Sequence, residues 1–223
     1  MAVMSTVEIA LRNAVCDRLT TDLGTADWLH IPPAPFNWSQ IERNNIDQAI
    51  KKAKRAEYAK LSNAQKTALD GTAFPNGPPA GIGHSTLARR RQDVLAVSDG
   101  QVVAQLTFFF WKRLFSEQYE RTLWKPSLKR VFPNKTLDRP DVAAQMEQLY
   151  QARNRLAHHE PVYGSRLTKI VGAIDFFKDN LGARRPDPES PVAKLILPQR
   201  DALDAQLAIF NSTWTRLVAT SVN

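Results

Sequence analysis

The sequence predicts an all-α protein, and three observations carry that expectation. Apolar residues recur at helical spacing in long segments, as Val7, Leu11, Val15 and Leu19 do. No segment alternates apolar and polar residues over the length of a strand. Glycine and proline gather between the periodic segments, around Gly24, Pro32 to Pro35, Gly71 to Gly83, Pro133 and Pro186 to Pro191. The expected architecture is a helical bundle of about seven to nine helices, in a single domain over residues 1–223.

The first helix is expected over Val3 to Leu23, where Gly24 stops it. Glu8 and Arg12 fall inside its apolar arc at i, i+4, so an intrahelical ion pair is the preferred partnership, with Glu8 reaching the region of Arg153 as the alternative. Trp28, Phe36 and Trp38 lie in a proline-rich loop and are expected to fold onto the domain. A second helix, Ser39 to Lys60, is basic in its latter half. Gly71 to Gly83 holds four glycines and three prolines in thirteen residues and reads as a flexible loop, without helix or strand. A further helix opens at His84 and ends near Ser98.

Gln101 to Phe115 is apolar nearly all round and belongs at the centre of a bundle. Its run Phe108 to Trp111 suits core packing better than a base-stacking platform. Helix is also expected from Glu117 as far as Pro126, and over Leu167 to Leu181. Pro186, Pro188 and Pro191 then mark a linker before a last helix from Pro198 to Ala219. That helix carries Leu203, Leu207, Phe210, Trp214 and Leu217 on one face.

Between these lies a helix from about Pro140, with Asp138 as its N-cap, that carries the most informative stretch of the chain. Val142, Met146, Leu149 and Leu156 draw its apolar stripe, and Arg153 sits in the middle of that stripe. A guanidinium keeps its charge there, so it needs an anionic partner, a polar cluster or a hydrated interface. Asn154, Arg155, His158, His159 and Glu160 follow at once, and Pro161 ends the helix at His158 or His159. Residues five apart diverge by roughly 140° at about 100° per residue, so Arg153 and His158 converge only at a helix end or across two chains.

RNA carries its own nucleophile in the 2′-hydroxyl. Its cleavage needs a base, an acid and positive charge on the phosphorane. Histidine suits proton transfer near neutrality, and arginine offers a fixed fork of donors. His158 is therefore assigned to proton transfer, Arg153 to the transition-state anion, and Asn154 to orienting His158 or contacting phosphate. His159 is the reserve candidate, and Glu160 either holds an imidazole or pairs with Arg155. The bland alternative is a polar cluster that caps a helix and closes a dimer. His158 and His159 are adjacent and diverge on a helix, and no H-E-x-x-H or cysteine cluster exists, so neither a metal nor a cofactor is expected.

The stretch Arg153 to Pro161 resembles the R-x(4–6)-H signature of the HEPN superfamily, in the variant of its Abi-like (abortive infection) family. Val7 to Val15 looks like that family's first helix. Leu106 to Trp111, with Leu123-Trp124 and Phe132-Pro133, looks like its central stretch. The resemblance covers roughly residues 5–165. It implies an all-α, often dimeric domain, and metal-independent endoribonuclease activity in phage-defence or toxin systems; the family also has members that do not cleave. Expected partners are then RNA, a second copy forming a composite site, and an antitoxin protein.

Composition agrees with this class without selecting it. Hydrophobic residues at 43% and charged residues at 23% are those of a soluble globular chain. No apolar run reaches the ~18 residues of a spanning helix, and no signal-peptide pattern opens the chain. The lone Cys16 lies in an apolar helix, as a packed thiol would, and suits a reducing cytoplasm. A net charge of +8 favours polyanionic partners. Basic residues cluster at Lys51 to Arg55, at Arg89 to Arg91, and from Lys112 to Lys135. No Walker loop, dinucleotide fingerprint or G-x-S-x-G elbow is present, so the competing class is a non-catalytic helical module that binds RNA or a protein.

Overall fold

A computed structural model describes residues 2–220, with side chains as far as Leu217. The protein is all-α: the described residues form ten α-helices and no strand. The chain divides into two compact units, one of residues up to Thr25 together with those from Trp111 onward, the other Ala26–Phe110.

In the first unit, α1 (Ala2–Leu23) buries Val3, Val7, Leu11, Val15 and Leu19 along one stripe. It packs against α9 (Ser165–Asn180), α10 (Pro191–Thr220) and the 3-10 turn Leu128–Val131. The motif helix is α8 (Arg139–Ala157), which buries Val142, Met146, Leu149 and Ala152 and packs on α9. Its start is as expected: Asp138 is the N-cap, and its backbone N–H donates to Asp141 Oδ2 at 2.9 Å. An aromatic cluster fills this core, with Phe132 at 5.8 Å from Phe115 and 5.9 Å from Phe177, centroid to centroid.

In the second unit, α2 (Gln40–Lys60) packs on α5 (His84–Asp93) and α6 (Asp99–Gln105). Trp28, Phe36 and Trp38 are buried, and Trp38 Nε1 donates to the Leu29 carbonyl at 2.8 Å. Glu42 is fully buried in the first turn of α2, where its carboxylate accepts from Ser39 Oγ. Two short helices, α3 (Asn63–Ala68) and α4 (Asp70–Ala73), precede the glycine- and proline-rich loop. The remaining helix, α7 (Phe108–Arg113), spans the chain position at which the two units divide.

Several boundaries differ from the sequence reading. The apolar segment 101–115 is not one helix: Leu106 is extended at φ −67° and ψ 136°, ending α6 before α7 starts. Phe108, Phe110, Trp111, Leu114 and Phe115 are nevertheless buried, as that composition leads one to expect. Residues 117–124 form a 3-10 turn and a π-turn rather than a regular helix. The helix opening at His84 ends at Asp93, short of Ser98, whose hydroxyl caps α6 in a capping box with Gln101. The same Ser-x-x-Gln signature at Ser62 and Gln65 starts α3, which periodicity alone misses. Gly71 sits within α4, so the irregular loop begins at Phe74.

The last helix starts at Pro191, and Pro198 lies inside it. Pro191 is tolerated in the first turn, where an N–H has no intrahelical partner. Beyond Ile196 the helix leaves the core, so Phe210 and Trp214 are 58% and 59% exposed, with rings stacked at 6.4 Å. No helix among the described residues is long and apolar enough to cross a membrane.

Candidate functional site at the end of α8

Helix α8 ends in a Schellman motif built from the candidate residues themselves. His158 is the C-cap, and its N–H donates to the carbonyls of Asn154 and Arg155 at 3.0 and 3.2 Å. The N–H of His159 reaches Leu156 O at 3.3 Å, and that of Glu160 reaches Arg155 O at 2.8 Å. This pattern requires a left-handed residue after the C-cap, and His159 supplies it at φ 55°. Glycine normally occupies that position because a Cβ there crowds the following carbonyl. A hydrophobic contact usually closes the motif; here an ion pair does, with Arg155 Nη1 at 2.7 Å from Glu160 Oε2.

Glu160 thus takes the second of its two expected roles, pairing with Arg155. His158, His159 and Glu160 are all exposed. Among the described residues the Asn154 amide makes no hydrogen bond to the His158 imidazole. The two residues are linked through backbone, from His158 N–H to Asn154 O.

Arg153 begins on the apolar stripe, but its long side chain reaches past the core, and 43% of it is exposed. Its Nε lies 3.4 Å from Glu8 Oε2. The preferred Glu8–Arg12 pairing therefore gives way to the alternative: Glu8 provides the anion that Arg153 requires, while Arg12 Nε is buried without a hydrogen-bond partner.

Sequence reasoning missed a neighbouring feature. Arg155, Gln148, Gln151 and Ala152 of α8, with Arg166, Lys169 and Ile170 of α9, line an open pocket of about 260 Å³. The pocket unites three cations and two amides, a donor set suited to phosphate oxygens. The signal was present: Arg166 and Lys169 lie three apart and face the same way on α9.

The basic clusters fare differently from one another. Lys51, Lys52, Lys54, Arg55 and Arg89 line one groove of about 270 Å³ between α2 and α5, with Asp93 as its carboxylate. In the cluster from Lys112 onward three cations face carboxylates: Lys112 lies 2.6 Å from Glu147, Arg130 lies 2.8 Å from Asp22, and Lys125 lies 3.8 Å from Glu120. Lys112 also sits 4.3 Å from the centre of the Tyr150 ring. Hydrogen bonds from Lys112 and Gln151 hold the Glu147 carboxyl below its ordinary pKa. Arg91 is drawn away from the groove by Asp70, which it contacts through two nitrogens at 2.7 and 2.6 Å.

Burial pushes the Cys16 thiol up to about 12, so it stays protonated near neutrality and is a packing group. No known protein family, curated protein or solved structure matches this chain.

Proposed function

We propose that the protein is a metal-independent endoribonuclease of a phage-defence or toxin-type system, built as a HEPN-type bundle and cutting RNA by attack of the 2′-hydroxyl. The observation that carries this reading is the open end of α8, where an exposed His158 follows a half-exposed Arg153 already oriented by Glu8. The resemblance to the Abi-like family supports it.

In this mechanism His158 exchanges protons with the reacting oxygens. As the 2′-oxygen forms its bond to phosphorus, its proton passes to base. The 5′-oxygen leaves with a proton, and a 2′,3′-cyclic phosphate remains. Arg153, held through Nε, directs its terminal nitrogens at the non-bridging oxygens of the phosphorane. Asn154 contacts phosphate, a role compatible with its lack of a bond to the imidazole. Arg155, Arg166 and Lys169 hold a flanking phosphate. His159 serves mainly to turn the chain.

The site is shared by two copies on this reading, since a two-fold axis beside α8 would bring two Arg153 and two His158 side chains together. Partners are then RNA, a second copy and an antitoxin protein. The test is cleavage of total RNA in EDTA, with loss in His158→Ala and 2′,3′-cyclic phosphate ends. A magnesium requirement, or 3′-hydroxyl ends, overturns it. Mixed dimers of Arg153→Ala and His158→Ala chains should recover part of the activity; a monomeric, fully active wild type refutes the shared site.

One observation favours a second reading, a non-catalytic module that binds RNA or a partner protein. The Glu8 carboxylate already satisfies Arg153, and the Arg155–Glu160 pair closes the helix, as a purely structural cap would. RNA binding without cleavage by the wild type selects it.

A further inference from the structure

Away from α8, within the Ala26–Phe110 unit, three side chains from two distant parts of the chain converge. His30 Nδ1 lies 2.9 Å from Asp27 Oδ1 and 3.2 Å from Asp99 Oδ1. The three ligand atoms all lie within 4.8 Å of one another. Asp27 and His30 sit on the turn after α1, and Asp99 is the first residue of α6.

A simple ion pair accounts for this arrangement poorly. Nδ1 carries at most one proton, and one N–H directed at a carboxylate at 2.9 Å cannot point equally well at another at 3.2 Å. Two carboxylates brought to one nitrogen also repel each other. A cation shared by all three removes both difficulties. Ligand bonds of about 2.1 Å at right angles place adjacent ligand atoms about 3.0 Å apart, the edge of an octahedral face. The two measured separations bracket that value.

We propose that Asp27, His30 and Asp99 form a binding site for a divalent first-row transition cation. Two carboxylate oxygens and one imidazole nitrogen are a donor set for manganese, iron or zinc, harder than a thiolate site and softer than an all-oxygen magnesium site. The side chains are 46%, 31% and 40% exposed, in chain order, which leaves the opposite face of the ion to water. Such an ion would clamp the turn at residues 27–30 to the start of α6. This site is independent of the cleavage reading, whose residues lie on α1, α8 and α9.

The test uses the full chain stripped with EDTA and then dialysed free of it. Manganese(II) is titrated while the imidazole resonances of the four histidines, His30, His84, His158 and His159, are followed by NMR. At substoichiometric manganese the His30 signals should broaden first and selectively. In calorimetry, Asp99→Asn should weaken manganese binding by at least the about 10–100-fold that loss of an outer-shell partner costs. His30→Ala should do the same, and manganese should raise the Tm of the wild type but not of either variant. Broadening at other histidines with His30 spared overturns the proposal. So does unchanged affinity in Asp99→Asn, or no binding at 1 mM manganese; each reduces the cluster to a histidine held between two aspartates.

Discussion

Glu8 Oε2 lies 3.4 Å from Arg153 Nε, so an ion pair ties the C-terminal part of α8 to α1. The pair is partly solvated, with side chains 22% and 43% exposed, which limits its contribution to stability. Its consequence is orientation: the contact at Nε restrains a guanidinium whose side chain stays 43% exposed.

On the proposed cleavage mechanism, Arg153→Ala is expected to lower the rate by about 10²–10³, the cost of a lost transition-state contact. Glu8→Ala leaves the charge but frees its direction, so the expected loss is smaller, about tenfold. Single-turnover rates on one RNA substrate check the order; a Glu8→Ala loss larger than that of Arg153→Ala would assign the chemistry to the carboxylate.

His159→Gly is expected to stabilise the protein by about 1 kcal/mol, because glycine occupies the left-handed region without the Cβ clash. Thermal denaturation measures this. If His158 carries the proton transfer, the same variant keeps its cleavage. A variant that is more stable yet inactive would move the catalytic role to His159.

If RNA is the partner, as proposed, changing Lys51, Lys52 and Lys54 together to alanine is expected to weaken its binding and to flatten the dependence on salt, leaving the chemical step intact. Phosphate contacts on an exposed groove act through counterion release, with a slope of about −0.7 per contact for single strands. Affinity measured across a salt series, beside single-turnover rates at saturating protein, separates the two effects. Silent cleavage at saturation would place the site in the α2–α5 groove.

Hydrogen bonds from Arg91 hold the Asp70 carboxyl below its ordinary pKa. A depressed folded value stabilises the protein at pH above the unfolded aspartate value of about 3.9. That stability is lost as pH falls through the lower folded value. The Tm gap between wild type and Asp70→Asn should therefore be widest near neutrality and close in acid. A gap independent of pH from 7 to 2 would show that the contact does not depend on the charge of Asp70.

What was legible in the sequence is what lies within a few residues along the chain. Apolar periodicity set the buried stripes of α1 and α8, because a stripe needs only the helical repeat. Asp138, Pro161 and the residues between them set both ends of α8, because caps are satisfied locally. The candidate site was legible for the same reason: Arg153 to Glu160 is one contiguous stretch, and its geometry is that of a helix terminus.

Tertiary structure decided the partnerships. Glu8 had Arg12 one turn away, yet it meets Arg153, whose position depends on how α8 lies against the rest of its unit. Arg155 joined Arg166 and Lys169 only because α8 and α9 pack together. Asp99 came to His30, and Arg89 to Lys54, through the folding of α5 and α6 onto the remainder of theirs. Periodicity specifies which face of a helix is buried, but not which neighbour covers it. Charged side chains therefore find partners only once those neighbours are in place.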